Sequence, residues 1–167
     1  MGTHLLMFVM CLLFPQVNAQ ELNYFHMASK TSEIRQSFFP KDMISPLEVN
    51  TVGWKNSGVI EVDNKGLKLL EWPRLQNFFK DLSDEDKEII KGTSYLLYID
   101  KHFKLVTFIA NINAEDIGSF HRVEKKIYEF ARLHDDVSDY IPYFEFEGEF
   151  TGIALRLPLS WLDKGPK

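Results

Sequence analysis

Residues 93–159 constrain this chain more than any other stretch, because their apolar side chains change period twice and each period dictates a different element. Tyr95-Leu96-Leu97-Tyr98-Ile99 and Leu105-Val106-Thr107-Phe108-Ile109 are apolar almost without interruption, and the polar Asp100-Lys101-His102 lies between them. Such runs read as two paired strands covered on both faces. After Asn113 the period becomes helical: Ser119 can cap, and Phe120, Val123, Ile127, Phe130 and Ala131 share one face, away from Arg122, Lys125, Lys126, Glu129 and Arg132. That pattern predicts an amphipathic helix with one buried stripe. Phe144 and Phe146 then alternate with Glu145 and Glu147, Gly148 interrupts, and Ile153, Leu155, Leu157 and Leu159 alternate with Ala154, Arg156, Pro158 and Ser160. Period two on both sides of a glycine predicts a hairpin. The order strand, strand, helix, strand, strand implies an α+β fold, an antiparallel sheet with one main amphipathic helix hiding its stripe on one face.

The first half is less patterned. Residues 20–57, punctuated by Pro40 and Pro46, read as irregular, with a short helix over 30–38. Val59-Ile60-Glu61-Val62 and Leu67-Lys68-Leu69-Leu70, joined through Asp63-Asn64-Lys65-Gly66, predict a β-hairpin over 58–72, since Asn and Gly tolerate the positive φ of tight turns. Leu75, Phe78, Phe79 and Leu82 recur at helical spacing, and Ser83 with Asp86 three residues on nearly matches a capping box for a second helical piece ending at Gly92. Residues 58–167 are thus expected to form a single α+β domain.

Residues 1–19 contain no Asp, Glu, Lys or Arg and carry one apolar run over 5–14 before Pro15. A span needs about 20 apolar residues, so this run reads as a signal peptide, cut after Val17-Asn18-Ala19 to leave Gln20 as the new terminus. The one cysteine, Cys11, lies in that leader, so the rest of the chain forms no internal disulfide and depends on its core. The 148 residues left of 167 suffice for one such core. Their net charge of -5 argues against a nucleic-acid partner, whose binding draws on clustered Lys and Arg. A periplasmic or secreted protein is expected.

The matching stretches Lys91-Gly92-Thr93-Ser94-Tyr95-Leu96-Leu97-Tyr98-Ile99-Asp100, residues 120–133, Ile141-Pro142 and Leu155-Arg156-Leu157-Pro158-Leu159-Ser160-Trp161 give residues 75–161 a pattern that resembles the C-terminal domain of TonB and its relatives. The resemblance covers about half of the chain, with its core over 92–161. It departs from the family where Asp100 is followed by Lys101 rather than Gly, and where no Tyr-Pro pair precedes Gly92. The membrane anchor and long Pro-rich spacer of energy-transducing members have no counterpart in these residues. What the resemblance implies is a non-catalytic interaction module whose last strand pairs with an extended peptide of an envelope or membrane-receptor protein. Here that strand would place Thr151, Ile153, Leu155, Arg156 and Leu157 at the partner, with Pro158 ending the pairing. The competing structural expectation is an interior strand, covered by the hairpin over 58–72.

Among chemical motifs, His134-Asp135-Asp136 is the one that invites a hydrolase, imidazole beside carboxylate. Yet His134 stands fourteen residues after Phe120, on the continuation of the buried stripe, and the two aspartates fall where the helix gives out. The spacing favours a structural histidine. His26, His102 and His121 are scattered, so no metal site is expected, and neither a nucleophile elbow nor a phosphate loop points to a catalytic residue or cofactor. Ser83-Asp84-Glu85-Asp86-Lys87-Glu88 lacks the ligand spacing of a calcium loop. Trp54, Trp72, Trp161, Tyr140 and Tyr143 are candidates for a ligand surface or for core. An inhibitor or immunity protein of the same compartment is the alternative to the TonB-like module; cystatin-type inhibitors share the layout, but their Gln-x-Val-x-Gly loop is absent.

Overall fold

A hairpin of two long strands, β4 (Ser94–Asp100) and β5 (Leu105–Asn113), is the centre on which everything else is built. They pair antiparallel with Tyr95 opposite Ala110 and Leu97 opposite Phe108. The Asp100 carboxylate closes the turn by accepting from the main-chain N–H groups of His102 (2.8 Å) and Lys104 (2.9 Å). Phe103 takes the left-handed conformation there (φ 59), a cost for a bulky residue that is offset by burying its ring against Phe144 and Phe146. The computed structural model describes residues 22–29, 34–51, 59–148 and 151–163, so the leader expected over 1–19, its cleavage point and Trp54 lie outside the described residues.

Around this hairpin runs a five-stranded antiparallel sheet. Before it in sequence come β1 (Phe25–Ser29), β2 (Arg35–Pro40), α1 (Pro46–Thr51), β3 (Val59–Val62), α2 (Asn64–Phe79) and α3 (Asp84–Gly92). After it come α4 (Ile117–Phe120), α5 (Glu124–Arg132), β6 (Phe144–Phe146) and β7 (Gly152–Pro158), with a 3-10 turn at Ser138–Tyr143 and another at Leu159–Leu162. The sheet order is β1-β2-β5-β4-β7, and β3 pairs with β6 in a separate two-stranded sheet. The α+β class expected from the changing period is what the chain forms.

The core lies between one sheet face and the helices. Tyr95, Leu97 and Ile99 of β4 alternate onto that face with Phe108, Ala110 and Ile112 of β5, and all six are fully buried. Phe130 of α5 meets Tyr95 and the α2 residue Phe79, with ring centroids 6.0 and 5.0 Å away. Phe120 of α4 packs on Phe25 and Phe38. The Tyr95 hydroxyl donates to the carbonyl of Ile127 (2.7 Å), which ties β4 to α5 and satisfies a buried polar group.

Four sequence expectations are corrected. Residues 25–29 and 35–40 are strands rather than irregular chain, and β2 takes residues 35–38 of the short helix expected over 30–38, whose residues 30–33 lie outside the described residues. Gln36-Ser37-Phe38 pairs with β5, and Phe38 is buried while Phe39 is half-buried, so the sheet overrides a segment with little pattern of its own. Of the hairpin expected over 58–72, the first strand exists as β3, but Leu67-Lys68-Leu69-Leu70 belongs to helix α2. Asp63 is the N-cap, its carboxylate accepting from the N–H of Gly66 at 2.9 Å, so the residues read as a turn start a helix instead. The helix over 120–133 is split: Arg122 and Val123 donate to carbonyls three residues back, which tightens the chain between α4 and α5. Finally, β6 and β7 do not form a hairpin with each other; β6 pairs with β3 and β7 with β4. Ser83 caps α3 as expected, accepting from the N–H of Asp86.

Candidate functional site

β7 stands at one end of the five-stranded sheet. Its register puts Leu157 opposite Tyr95, Leu155 opposite Leu97 and Ile153 opposite Ile99. The N–H of Leu159 donates to the carbonyl of Thr93, and hydrogen-bonded pairs recur every second residue. Leu157, Leu155 and Ile153 therefore direct their main-chain groups to β4. Gly152, Ala154, Arg156 and Pro158 direct theirs away from it. Pro158, which has no N–H to offer, occupies a position where none is needed by β4.

That parity sorts the five predicted partner residues. Ile153 and Leu157 are buried and Leu155 is half-buried, on the face that builds the core. Thr151 is exposed but precedes the strand. Arg156 alone among the five combines an exposed side chain with outward main-chain groups. Thr151 and Ala154 each make a further interaction, so the part of the edge to consider is its Arg156–Pro158 end. Gly152 and Ala154 share the outward parity of Arg156 and were not among the five predicted residues; strand parity was the signal that could have found them.

His134 is brought to a different partner from the one its neighbours suggested. The imidazole is fully buried, with Nδ1 3.0 Å from the carbonyl of Phe130 and Nε2 2.9 Å from the carboxylate of Glu71. Both contacts are acceptors, so satisfying both takes two N–H bonds on the ring or a proton on Glu71. Glu71 is also fully buried and takes the guanidinium of Arg74 at 2.6 Å, which in turn pairs with Asp139. Glu71 thus lies between His134 and Arg74, and Arg74 between Glu71 and Asp139. Burial works to raise the Glu71 carboxyl, but the hydrogen bond and charge of His134, with Arg74 and Tyr140, outweigh it and hold the group below its ordinary value. Asp135 and Asp136 are exposed and engaged elsewhere, Asp135 with Arg132 (2.8 Å) and Asp136 with Lys104. The Lys104 ammonium and the Ser138 N–H lower the Asp136 carboxyl to about 2. His134 and Asp135 thus make no acid-base pair; Glu71 was not visible as a partner because 63 residues separate it from His134.

The remaining candidates are dispersed. Glu85 and Asp86 both receive Arg122, at 2.7 and 2.5 Å. Tyr140 is fully buried, and Trp161 and Tyr143 pack against the core. Among the described residues no three His, Cys, Asp or Glu side chains are grouped to hold a metal ion, and no helix is long and apolar enough to cross a membrane. Comparison with protein families, with curated proteins and with solved structures finds no match to this chain.

Proposed function

We propose that this protein is an exported, non-catalytic binding module that takes up an extended segment of an envelope protein at the Arg156–Pro158 end of β7. One observation carries the reading: β7 ends the sheet, and its register turns the main chain of Arg156 away from β4. A peptide laid there gains main-chain hydrogen bonds for affinity, with alternate side chains fixing its register. The likeness of residues 75–161 to TonB C-terminal domains supports the same strand in the same role, and the uncharged apolar run over 5–14 supports export. Against catalysis stands the His134 ring, which is fully buried with both nitrogens already engaged.

The test is a nitrogen-15 chemical-shift titration of the chain with synthetic peptides from the periplasmic segments of outer-membrane receptors. Shifts concentrated on the amides of residues 155–157 and lost in Arg156→Pro, which removes an outward N–H without touching the β4 ladder, are expected. Absence of any shift in β7, together with retrieval of a hydrolase from envelope extract, would replace this reading with the inhibitor one.

A further inference from the structure

We infer that the β7 edge selects its peptide by charge: the docked strand carries an acidic residue beside Arg156, with an apolar residue on either side of it. This specificity rests on the docking proposed at the same edge. Neither β5 nor residues 94–99 of β4 bear a charged side chain, and Arg156 is the one charge on β7. Across the sheet Arg156 stands opposite Leu96, and Leu96 opposite Ile109, so an apolar row ends in a guanidinium on the side away from β4. Arg74, Arg122 and Arg132 are each paired with a carboxylate. Among the described residues Arg156 has no ion pair.

Register dictates what stands beside that guanidinium. The main chain of Arg156 faces outward, so in an added antiparallel strand one residue pairs with it directly, its Cβ about 5 Å away and on the same face of the sheet. The two neighbours of that residue turn to the other face, beside Leu155 and Leu157, which are half-buried and buried on the core side. Two electrostatic effects compete at the central position. The net charge of -5 favours a basic peptide, but it is spread over the whole chain and screened beyond about 8 Å at physiological ionic strength. The guanidinium lies within that distance, so the local attraction decides and an acidic residue is preferred. A charged side chain on an outer strand also deters edge-to-edge aggregation. That role alone would make Arg156→Gln self-associate without giving the native chain any preference among peptides.

The probes are three synthetic peptides that differ only at the centre, acetyl-Thr-Val-Glu-Val-Thr-amide and its Gln and Lys counterparts, titrated into the nitrogen-15-labelled chain and followed on the amides of residues 155–157. The Glu peptide is expected to bind the native chain about fivefold more tightly than the Lys peptide, with the Gln peptide between them. Arg156→Glu should invert that order, and Arg156→Gln should bring the three affinities within about twofold of one another. Equal affinities for the native chain, or an order that Arg156→Glu leaves unchanged, would overturn the charge selection while leaving docking at β7 in place. No shift in β7 with any of the three peptides would overturn docking itself, so the two failures are distinguishable.

Discussion

His134 sits fully buried between the Phe130 carbonyl and the Glu71 carboxyl, and this makes it the residue whose loss the fold should feel most. Removing His134 leaves the buried Glu71 carboxyl without one of its partners, at a cost of about 3 kcal/mol. His134→Gln is therefore expected to lower the unfolding free energy by about that amount in chemical denaturation while leaving the exposed Asp135 and Asp136 undisturbed. Because the Glu71 carboxyl is held below its ordinary value of 4.5 in the folded chain, its stabilising contribution is fully present above that pH and is lost as the pH falls through it. The gap between the native chain and Glu71→Gln should accordingly be widest above the ordinary carboxylate range and close as the pH falls below it; a gap that does not change with pH would contradict an ionised Glu71. Gly66 carries a separate prediction. A Cβ there would lie 2.3 Å from the Tyr143 ring and 2.4 Å from the carboxylate of its own cap, Asp63, so Gly66→Ala should cost about 1–3 kcal/mol by overpacking. The fourteen-residue spacing from Phe120 made the burial of His134 legible. Its bond to Glu71 was not, because that contact depends on α2 packing against α5 through Phe79 and Phe130, and part of α2 had read as a strand.

Period identifies an element more surely than it identifies its neighbour. The alternation around Phe144, Phe146, Ile153, Leu155 and Leu157 correctly marks strands, yet nothing in it says that β6 belongs with β3 and β7 with β4. Gly148 does adopt the left-handed conformation that a turn glycine suggests (φ 78), but the chain beyond it departs to a different sheet. Asp63-Asn64-Lys65-Gly66 suits either a hairpin turn or a helix start. The contest is settled by burial, since Leu67, Glu71, Leu75 and Phe79 recur every fourth residue on the buried face of α2. β4 and β5 were legible almost to their ends because continuous apolar runs leave few alternatives. On β7 the parity of pairing makes a sharp prediction: Leu155→Pro deletes a hydrogen bond to β4 and should lower the unfolding midpoint strongly, whereas Arg156→Pro, one residue on, should barely move it. Equal losses in the two variants would mean that the register along β4 is wrong.

At the scale of the whole molecule, one core without a cross-link has to hold the chain together. The unexpected part of that core is its N-terminal contribution. β2 lies between β1 and β5, Phe25 and Phe38 enclose Phe120, and the buried Glu124 carboxylate accepts from the main-chain and side-chain N–H groups of Asn23. A chain reduced to residues 58–167, the domain expected from the sequence, is thus predicted to give a broader, less dispersed amide spectrum than residues 20–167, because β5 and Phe120 would be uncovered. The apolar pattern over 20–57 was too sparse to announce these strands, since their order comes from neighbours distant in sequence. Above this level, docking requires that the outer side of β7 be available to another chain. Amide hydrogen exchange of the unliganded protein reads that directly: Leu155 and Leu157 should be strongly protected by their bonds to β4, while the N–H of Arg156 between them exchanges fast and slows only when a partner peptide is added. An Arg156 amide as slow as its two neighbours in the protein alone would show the edge already covered and contradict the proposed docking.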